Sequence, residues 1–311
     1  MILESALRKG CPVQRGDNLR FGVLDSPNAL YPTLMSRWRL IEELGFDNLW
    51  APDHTAAYSN PEAGLWFDGW VTLAAMVATT STIRVGTLVS NPILRHPAIL
   101  AKQAAAVDHL SGGRLELGLG TGIAAFDHAA VGVAPWSAQE RTARFSEYVR
   151  IVDAVLRSGG SPVSVDGQYY STVGTRLIPD PPQRPRPPIT IGGQSAAVLR
   201  VAAAYADSWN SDGHPNHDAD KVFEATRRQN ATLDEYCVSA GREPSSLRRS
   251  LLLIHALDAW SSPDAIERFV EKFWPLGIRE YVMFWPGDDR RGEIEKAASE
   301  VIPRLRRDLQ L

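Results

Sequence analysis

Apolar and polar residues follow two alternating patterns through most of the chain. Short runs of apolar, β-branched residues alternate with longer stretches in which apolar residues recur three and four positions apart. The first pattern is typical of buried parallel strands and the second of amphipathic helices. The predicted strands are 20–25, 48–53, 83–90, 115–120, 189–191, 207–211, 248–256 and 280–284, and the predicted helices are 32–44, 69–80, 97–110, 138–156, 195–205, 218–240, 263–274 and 293–308.

This strict alternation predicts parallel strands joined by helical crossovers. Eight strand–helix units in a chain of 311 residues predict a (β/α)8 TIM barrel, with residues 1–311 as a single domain. A doubly wound sheet is the alternative, but the first strand leads into Leu24-Asp25-Ser26-Pro27 instead of a glycine-rich dinucleotide turn.

One segment interrupts the alternation and predicts an insertion at about 160–188, between strands four and five. Residues 163–170 contain Asp166-Gly167 between β-favouring flanks, which predicts a hairpin. The proline-rich residues 179–188 predict an extended crossing segment.

Composition excludes several classes of function. The chain is 44% hydrophobic and 22% charged, with a net charge of −3, so no basic surface for nucleic acid is expected. Cys11 and Cys237 form no CxxC pair, which favours a reducing compartment. No apolar run is long enough to cross a membrane, and residues 1–18 lack the apolar core of a signal peptide. We therefore expect a cytoplasmic protein with a small-molecule substrate.

The active site of a barrel lies where strands end and the following loops begin. Asp53-His54 directly follows the second predicted strand. Histidine can transfer a proton near neutral pH, and an adjacent aspartate can orient it, so both are catalytic candidates. A histidine that is hydrogen-bonded within the loop is the alternative interpretation. His96, just before Pro97, is expected to cap a helix instead.

Two glycine-containing turns are candidate ligand sites. Ile189-Thr-Ile-Gly-Gly-Gln-Ser195 passes from a strand straight into a helix, whose free N–H groups and dipole favour an anion. An ordinary turn with Ser195 as helix cap is the alternative. Gly120-Thr121-Gly122 would let a flat ring approach the backbone, although this motif alone is weak evidence.

The sequence lacks the signatures of several other catalytic centres. The seven histidines show no HxH or HExxH spacing, so no metal site is expected. There is no GxSxG motif, and no lysine occupies a predicted strand end. An anion site without a nucleophile or a metal suggests that a cofactor performs the chemistry.

In these motifs and their order, the chain resembles the bacterial luciferase-like monooxygenase superfamily, and within it the branch that uses the deazaflavin coenzyme F420. The resemblance covers most of the region from Phe21 to Ser211. The matching segments are Glu42–Trp50, Pro52-Asp53-His54, Thr82–Thr87, Asn91-Pro92, Arg95–Ala98, Leu110–Leu115, Gly118–Gly122, Ile191–Gly193 and Ala206–Asn210.

The resemblance implies a (β/α)8 barrel with an insertion, and a homodimer. It implies that Asp53 and His54 face the ring of the cofactor, that residues 192–195 hold its phosphate, and that a non-prolyl cis peptide lies at the end of strand three, at Leu88–Val89. The candidate cofactor-binding residues are Asp53, Leu88, Val89, Asn91, Gly120, Thr121, Gly122, Gly192, Gly193, Gln194 and Ser195.

One departure bears on the substrate. Sugar-phosphate dehydrogenases of this branch carry a glutamate directly after the Gly-Thr-Gly turn, where this chain has Ile123. Glucose-6-phosphate oxidation is therefore not expected. The resemblance implies an oxidoreductase that moves a hydride between C5 of F420 and a small organic substrate. The alternatives are an FMN-dependent monooxygenase that uses O₂ and, ranked lowest, a non-catalytic flavin-binding protein.

Overall fold

The computed structural model describes residues 19–58, 61–62, 64–213 and 216–309. Residues 1–18, for which the sequence predicts no signal peptide, lie outside the described residues, as do Cys11 and His214.

Eight parallel strands close into a barrel, as the sequence predicted. Around the barrel the strands follow the order β1-β10-β9-β8-β7-β4-β3-β2, which places each beside its neighbour in sequence once the insertion is left out. The barrel strands are β1 (Arg20–Leu24), β2 (Asn48–Ala51), β3 (Arg84–Ser90), β4 (Leu115–Leu119), β7 (Ile189–Gly192), β8 (Ser208–Asp212), β9 (Arg248–Leu253) and β10 (Ile278–Phe284).

Helices follow the barrel strands and cover them. The helices are α1 (Tyr31–Glu43), α2 (Gly69–Thr79), α3 (Pro97–Leu110), α4 (Ala125–Ala130), α5 (Ala138–Leu156), α6 (Ala196–Tyr205), α7 (Ala219–Ser239), α8 (Ala265–Phe273), α9 (Arg291–Lys296) and α10 (Ile302–Leu309). All eight predicted helices are present, and the last is interrupted by a π-helical stretch, Ala297–Val301. The six-residue helix α4 was not predicted, because it is too short to show a helical repeat.

The insertion forms a hairpin of β5 (Val163–Asp166) and β6 (Ser171–Thr175). Its second strand begins later than the predicted hairpin implied, since residues 167–170 form the connection. The carboxylate of Glu147 on α5 accepts the N–H groups of Gln168 and Tyr169, both at 2.9 Å. A Cβ at Gly167 would lie 2.3 Å from that carboxylate, so the close approach needs glycine.

The two ends of the barrel interior differ in polarity. At the ends where the strands begin, Arg20 and Arg84 donate to Glu116 at 2.8 and 2.6 Å, and Asn48 donates to Glu280 at 3.0 Å. Burial opposes ionisation of Glu116, but Arg20 and Arg84 outweigh it and hold its pKa well below the ordinary value. This buried ionic layer fills one end of the barrel. Ligand chemistry is therefore expected at the opposite end, where the strands stop.

Candidate active site

Strand β3 carries a bulge where the interior opens toward solvent. The Leu88–Val89 peptide is cis, at the predicted position, and the pairing of β3 with β4 shifts between Thr87 and Ser90. The side chain of Val89 turns toward β4 and β7. A Cβ at Gly120 would lie 2.2 Å from Val89 Cγ2, and one at Gly192 would lie 3.1 Å from Val89 Cγ1. These two glycines, which were predicted to bind a cofactor, make room for Val89.

An apolar cluster inside the barrel lies next to this bulge, and we call it the apolar floor. It consists of the buried residues Leu24, Trp50, Leu88 and Val282, with the half-buried Val89, Leu252 and Phe284 packed against them. Because these residues come from strands on opposite sides of the barrel, the floor spans the interior. Such a surface can accept one face of a flat ring.

His54 lies at the end of β2, and an aspartate holds its ring. Its Nδ1 lies 2.7 Å from Oδ2 of Asp127, in the first turn of α4. The backbone N–H and hydroxyl of Thr55 donate to the other oxygen of Asp127, each at 2.8 Å. The hydrogen bond that Trp66 Nε1 donates to the carbonyl of His54, at 2.8 Å, fixes the backbone there. The side chain of His54 is 26% exposed, so a ligand can reach it.

The charge state of Asp127 determines which nitrogen of His54 carries hydrogen. Burial raises the pKa of Asp127, but the hydrogen bonds from His54 and Thr55 outweigh it and lower the pKa below the ordinary value. The ionised carboxylate accepts hydrogen from Nδ1. Nε2 is therefore the nitrogen that can exchange a proton with a ligand.

Asp53 has a different role from the one proposed from sequence adjacency. Its carboxylate does not orient His54; it pairs with Arg95 through both oxygens, one of them 3.1 Å from Nη2. It also accepts the N–H of Asn91 at 2.8 Å. Burial raises its pKa, and Arg95 opposes that shift. Through these bonds Asp53 connects the end of β2 to the loop that follows β3.

Asn91 connects the two aspartates. Its Nδ2 donates to Asp127 at 2.8 Å, its N–H donates to Asp53, and its Oδ1 accepts the N–H of Ile93 at 3.0 Å. Buried and bonded on all sides, Asn91 supports His54 through Asp127 instead of presenting a free amide to a ligand.

The Gly-Thr-Gly turn packs directly against this network. Gly122 has a φ of 70°, which favours glycine, and a Cβ there would lie 2.9 Å from Asn91 Oδ1. Thr121 and Gly122 are half-buried at the end of β4, on the same side of the barrel as His54.

The predicted anion loop lies between β7 and α6. Gly193 has a φ of 131°, and its carbonyl accepts Trp209 Nε1 at 2.8 Å. Gln194 Nε2 donates to the Asp212 carbonyl at 2.9 Å. Ser195 caps α6 and accepts the N–H of Val198, so the helix-cap interpretation applies. Ser195, Ala196 and Ala197 are exposed, which leaves this helix terminus accessible to an anion as well.

His96 caps a helix, as the sequence predicted. Its Nδ1 accepts the N–H of Ala98 at 3.2 Å at the start of α3.

Sequence reasoning missed Asp127 and Arg95. Neither follows a strand directly, and the helix that carries Asp127 was not predicted. Arg95 begins the family-like segment Arg95–Ala98, which was a signal for it, whereas the signal for Asp127 was only its place between the end of a strand and the next long helix.

Asp25, at the end of β1, is a second buried carboxylate at this end of the barrel. It accepts Trp38 Nε1 at 2.9 Å and Arg37 Nη1 at 3.2 Å. Burial outweighs these partners and raises the pKa of Asp25 to about 7.

Within the described ranges, no helix is long and apolar enough to cross a membrane. The described residues also contain no group of three or more His, Cys, Asp or Glu residues arranged to hold a metal ion.

Comparison with known proteins identifies a family and several relatives of this chain. The model of the luciferase-like monooxygenase family matches residues 21–306. An F420-dependent glucose-6-phosphate dehydrogenase from Beutenbergia cavernae is 26% identical, over 93% of this chain and 98% of the relative. An F420-dependent hydroxymycolic acid dehydrogenase from Mycobacterium tuberculosis is 31% identical, over 69% of this chain and 56% of the relative.

A solved structure shares the fold. An F420-dependent secondary alcohol dehydrogenase, in complex with an F420–acetone adduct, superposes with a TM-score of 0.78 at 20% identity. The match covers 92% of this chain and 98% of that protein.

Proposed function

The chain belongs to the luciferase-like monooxygenase family, and we propose that it is an oxidoreductase that uses coenzyme F420. The reaction is a hydride transfer between C5 of the deazaflavin and a small organic substrate. The observation that carries the proposal is that His54, fixed by the ionised Asp127, lies at the end of β2, at the same end of the barrel as the apolar floor.

The residues at this end fit the chemistry of the cofactor. The apolar floor and the bulge at Leu88–Val89 offer a surface for the ring. The exposed helix start at Ser195–Ala197 offers N–H donors for a phosphate. When bound, the deazaflavin supplies or accepts the hydride.

The protein's own chemical contribution is proton transfer at His54. Its Nε2 accepts the proton of an alcohol when the substrate is oxidised, or donates one when a carbonyl is reduced. Asp127 keeps the hydrogen of the neutral ring on Nδ1, which leaves Nε2 facing the ligand. The apolar floor excludes water from one side of the reacting atoms, which strengthens these electrostatic interactions.

The choice of F420 is supported by the F420-dependent dehydrogenases among the relatives and by the Ile-Gly-Gly-Gln-Ser loop, which resembles that of the deazaflavin branch. The alternative is an FMN-dependent monooxygenase, since the family includes enzymes of both kinds. Side-by-side titration of the purified protein with F420 and FMN tests this choice. Tighter binding of FMN would overturn it.

The anion site can be tested with one pair of variants. Ser195→Asp keeps a good helix cap but adds a negative charge, whereas Ser195→Asn keeps the cap without the charge. We expect Ser195→Asp to weaken F420 binding by at least about 10-fold, which corresponds to about 1.4 kcal/mol, while Ser195→Asn changes it little. Equal affinities for the two variants would mean that the phosphate binds elsewhere. Gly193 is less suitable, because its φ of 131° would add backbone strain to any substitution.

His54→Ala separates an enzyme from a non-catalytic flavin-binding protein. We expect it to slow single-turnover hydride transfer by ~10²–10⁴-fold, the range typical of general acid–base catalysis. His54→Asn should not restore the rate, because an amide does not exchange protons near neutral pH. Near-normal transfer in either variant would mean that His54 only positions the ring. A homodimer, a cytoplasmic location and one domain over residues 1–311 stay predictions.

A further inference from the structure

We propose that the barrel interior binds a chain of water molecules along β7, β8 and β9, and that Glu280 exchanges a proton with the open end of the barrel through this chain. Glu280 lies on β10, in the buried ionic layer where the strands begin. The chain of water gives the open end a store of protons that is separate from His54, and it operates without a cofactor.

Small polar side chains line one side of the barrel interior. Thr190 on β7, Ser208 on β8 and Ser250 on β9 are all buried. The residue that follows each of them packs in the outer hydrophobic core between strands and helices. Because side chains alternate along a strand, these three point into the barrel. Bulky branched side chains usually fill the interior of a (β/α)8 barrel, so three small polar ones leave room for water.

Four buried polar atoms in this region receive no hydrogen bond from another protein group. They are Thr190 Oγ1, Ser208 Oγ, Arg248 Nη1 and Glu280 Oε2. Strand pairing brings the first three close together, because Thr190 pairs with Ser208 and Ser208 pairs with Arg248. Buried polar atoms are almost always hydrogen-bonded, and internal water is the usual partner where the protein supplies none. These atoms therefore indicate a group of bound water molecules.

The distance between two charged groups indicates a bridging water in the same region. Arg248 Nη1 lies 3.8 Å from Oε2 of Glu116, which is too far for a direct hydrogen bond. A water molecule can accept a hydrogen bond from the guanidinium and donate one to the carboxylate across this distance. Because Ser208 pairs with Arg248, this water adjoins the hydroxyl groups of β7 and β8. The bound water thus extends into the ionic layer.

Ser250 connects this region with the open end of the barrel. Its register partners are Asn210 on β8 and Glu280 on β10. Asn210 Nδ2 donates to Ser250 Oγ at 2.9 Å, so the hydroxyl hydrogen of Ser250 is free to be donated towards Glu280. Asn210 pairs in turn with Gly192, the half-buried residue at the end of β7. Glu280 is therefore two strand spacings, or about 10 Å, from Asn210.

Glu280, and not Glu116, is the carboxyl group that holds the exchangeable proton. Arg20 and Arg84 donate to Glu116 at 2.8 and 2.6 Å. Among the described residues, Glu280 accepts a hydrogen bond only from Asn48, through Oε1. Burial raises the pKa of Glu280, and the positive charge of Arg20 opposes that shift. The charged groups that act on Glu280 from the neighbouring strands are Arg20, Asp47, Glu116 and Arg248.

The proton moves without a net change in the groups along the path. Each water molecule or hydroxyl group accepts a hydrogen on one side and releases one on the other. The net result is that a proton leaves the solvent at the open end and binds to Oε2 of Glu280, the oxygen that has no protein partner. Release of the proton follows the same sequence in reverse.

Infrared spectroscopy of the protein without cofactor tests whether Glu280 holds a proton. The C=O stretching band of a protonated carboxyl group shifts between H₂O and D₂O. As the pH is lowered to about 5, still above the ordinary pKa of carboxyl groups, we expect such a band in the parent and in Asp25→Asn. Glu280→Gln should lose it. Identical spectra of the parent and Glu280→Gln would overturn the assignment of the proton to Glu280.

Two variants of one residue test the route to the open end. Ser250→Val and Ser250→Thr add nearly the same bulk, but only threonine keeps a hydroxyl group. Rapid mixing with D₂O, followed by infrared detection, gives the rate at which the Glu280 proton exchanges. We expect Ser250→Val to slow exchange by at least about 10-fold and Ser250→Thr by less than about 3-fold, because only the hydroxyl both accepts and donates hydrogen. Equal rates in the two variants would overturn the route.

The water molecules have a test that does not involve Glu280. Thr190→Val replaces a hydroxyl by a methyl group of the same shape. If water binds to Thr190 Oγ1, the substitution removes a hydrogen bond and the urea midpoint falls, whereas a hydroxyl without any partner would make the substitution stabilising. We expect the midpoint to fall. A higher midpoint, or a high-resolution crystal structure with no water at Thr190 Oγ1, Ser208 Oγ and Glu280 Oε2, would overturn the proposal.

Discussion

Replacing Asp127 by asparagine should slow hydride transfer much more than it weakens cofactor binding. Asp127 is fully buried and accepts four hydrogen bonds of 2.7–2.8 Å, from His54, Asn91 and twice from Thr55. In all four bonds the partner group is the donor. An asparagine carbonyl can accept two of these bonds, but its NH₂ group then faces the other two donors.

This change of hydrogen-bond donors is expected to change the tautomer of His54. If the amide carbonyl stays with the backbone N–H of Thr55, which cannot reorient, its NH₂ group faces Nδ1 of His54. Nδ1 must then accept, and the ring hydrogen moves to Nε2, the nitrogen that exchanges the substrate proton. We therefore expect Asp127→Asn to reduce the single-turnover rate by ~10²–10⁴-fold, comparable to loss of the general acid–base itself.

The same substitution should reduce stability by about 2–4 kcal/mol, from the loss of hydrogen bonds to a buried charge. The lowered pKa of Asp127 sets the pH dependence of this loss. An ionised group with a depressed pKa stabilises the fold above its unfolded pKa, so the difference between variant and parent should shrink as pH falls below about 4. Urea unfolding of both proteins at several pH values measures this difference in the free energy of unfolding.

Stopped-flow measurement of deazaflavin absorbance in a single turnover gives the rate, and cofactor titration gives the affinity. Thr55→Val is the matched control, since it removes one hydroxyl donor to Asp127 but leaves the bond to His54 intact. We expect it to slow transfer by less than about 10-fold. A folded Asp127→Asn protein that transfers hydride within about 3-fold of the parent would refute the assigned role of the His54–Asp127 pair.

Two further predictions concern stability. Because burial raises the pKa of Asp25 to about 7, its contribution to stability is present below its unfolded pKa and is lost as pH rises to about 7. The free energy of unfolding of Asp25→Asn minus that of the parent should therefore increase between about pH 5 and about pH 7. The increase should be at most about 1.4 kcal/mol per pH unit. A difference that does not change with pH in urea unfolding would contradict this. Gly118→Ala should destabilise the barrel by at least about 3 kcal/mol, because the new Cβ would lie 1.8 Å from the Thr87 carbonyl oxygen. Gly292→Ala on α9, with no atom within 4 Å of the new Cβ, should be neutral or slightly stabilising in the same thermal-unfolding assay.

The barrel could be predicted from the sequence because its determinants are local and repeated. Each strand is a short buried apolar run and each long helix has an amphipathic repeat, so the order of elements follows from the pattern. Caps such as His96 before Pro97 were visible for the same reason, since cap and helix are adjacent in sequence. The helix α4 escaped prediction because six residues are too few to establish a repeat.

The candidate site was only partly predictable, because its contacts join residues far apart in sequence. Adjacency favoured Asp53 as the partner of His54, yet successive residues at a strand end point in different directions. In the folded protein Asp53 turns inward to Arg95, and Asp127, 73 positions beyond His54, reaches the imidazole.

The roles of the glycines were also only partly predictable from sequence. Gly120 and Gly192 were predicted to lie against a cofactor, whereas in the structure they chiefly accommodate Val89 from the bulge in β3. The sequence by itself determined the eight barrel strands and the long helices between them, and it placed polar residues such as Asp53 and His54 directly after strand ends. Only the tertiary structure decided which carboxylate holds the histidine and what fills the space beside each glycine, because side-chain partners across a barrel depend on closure of all eight strands.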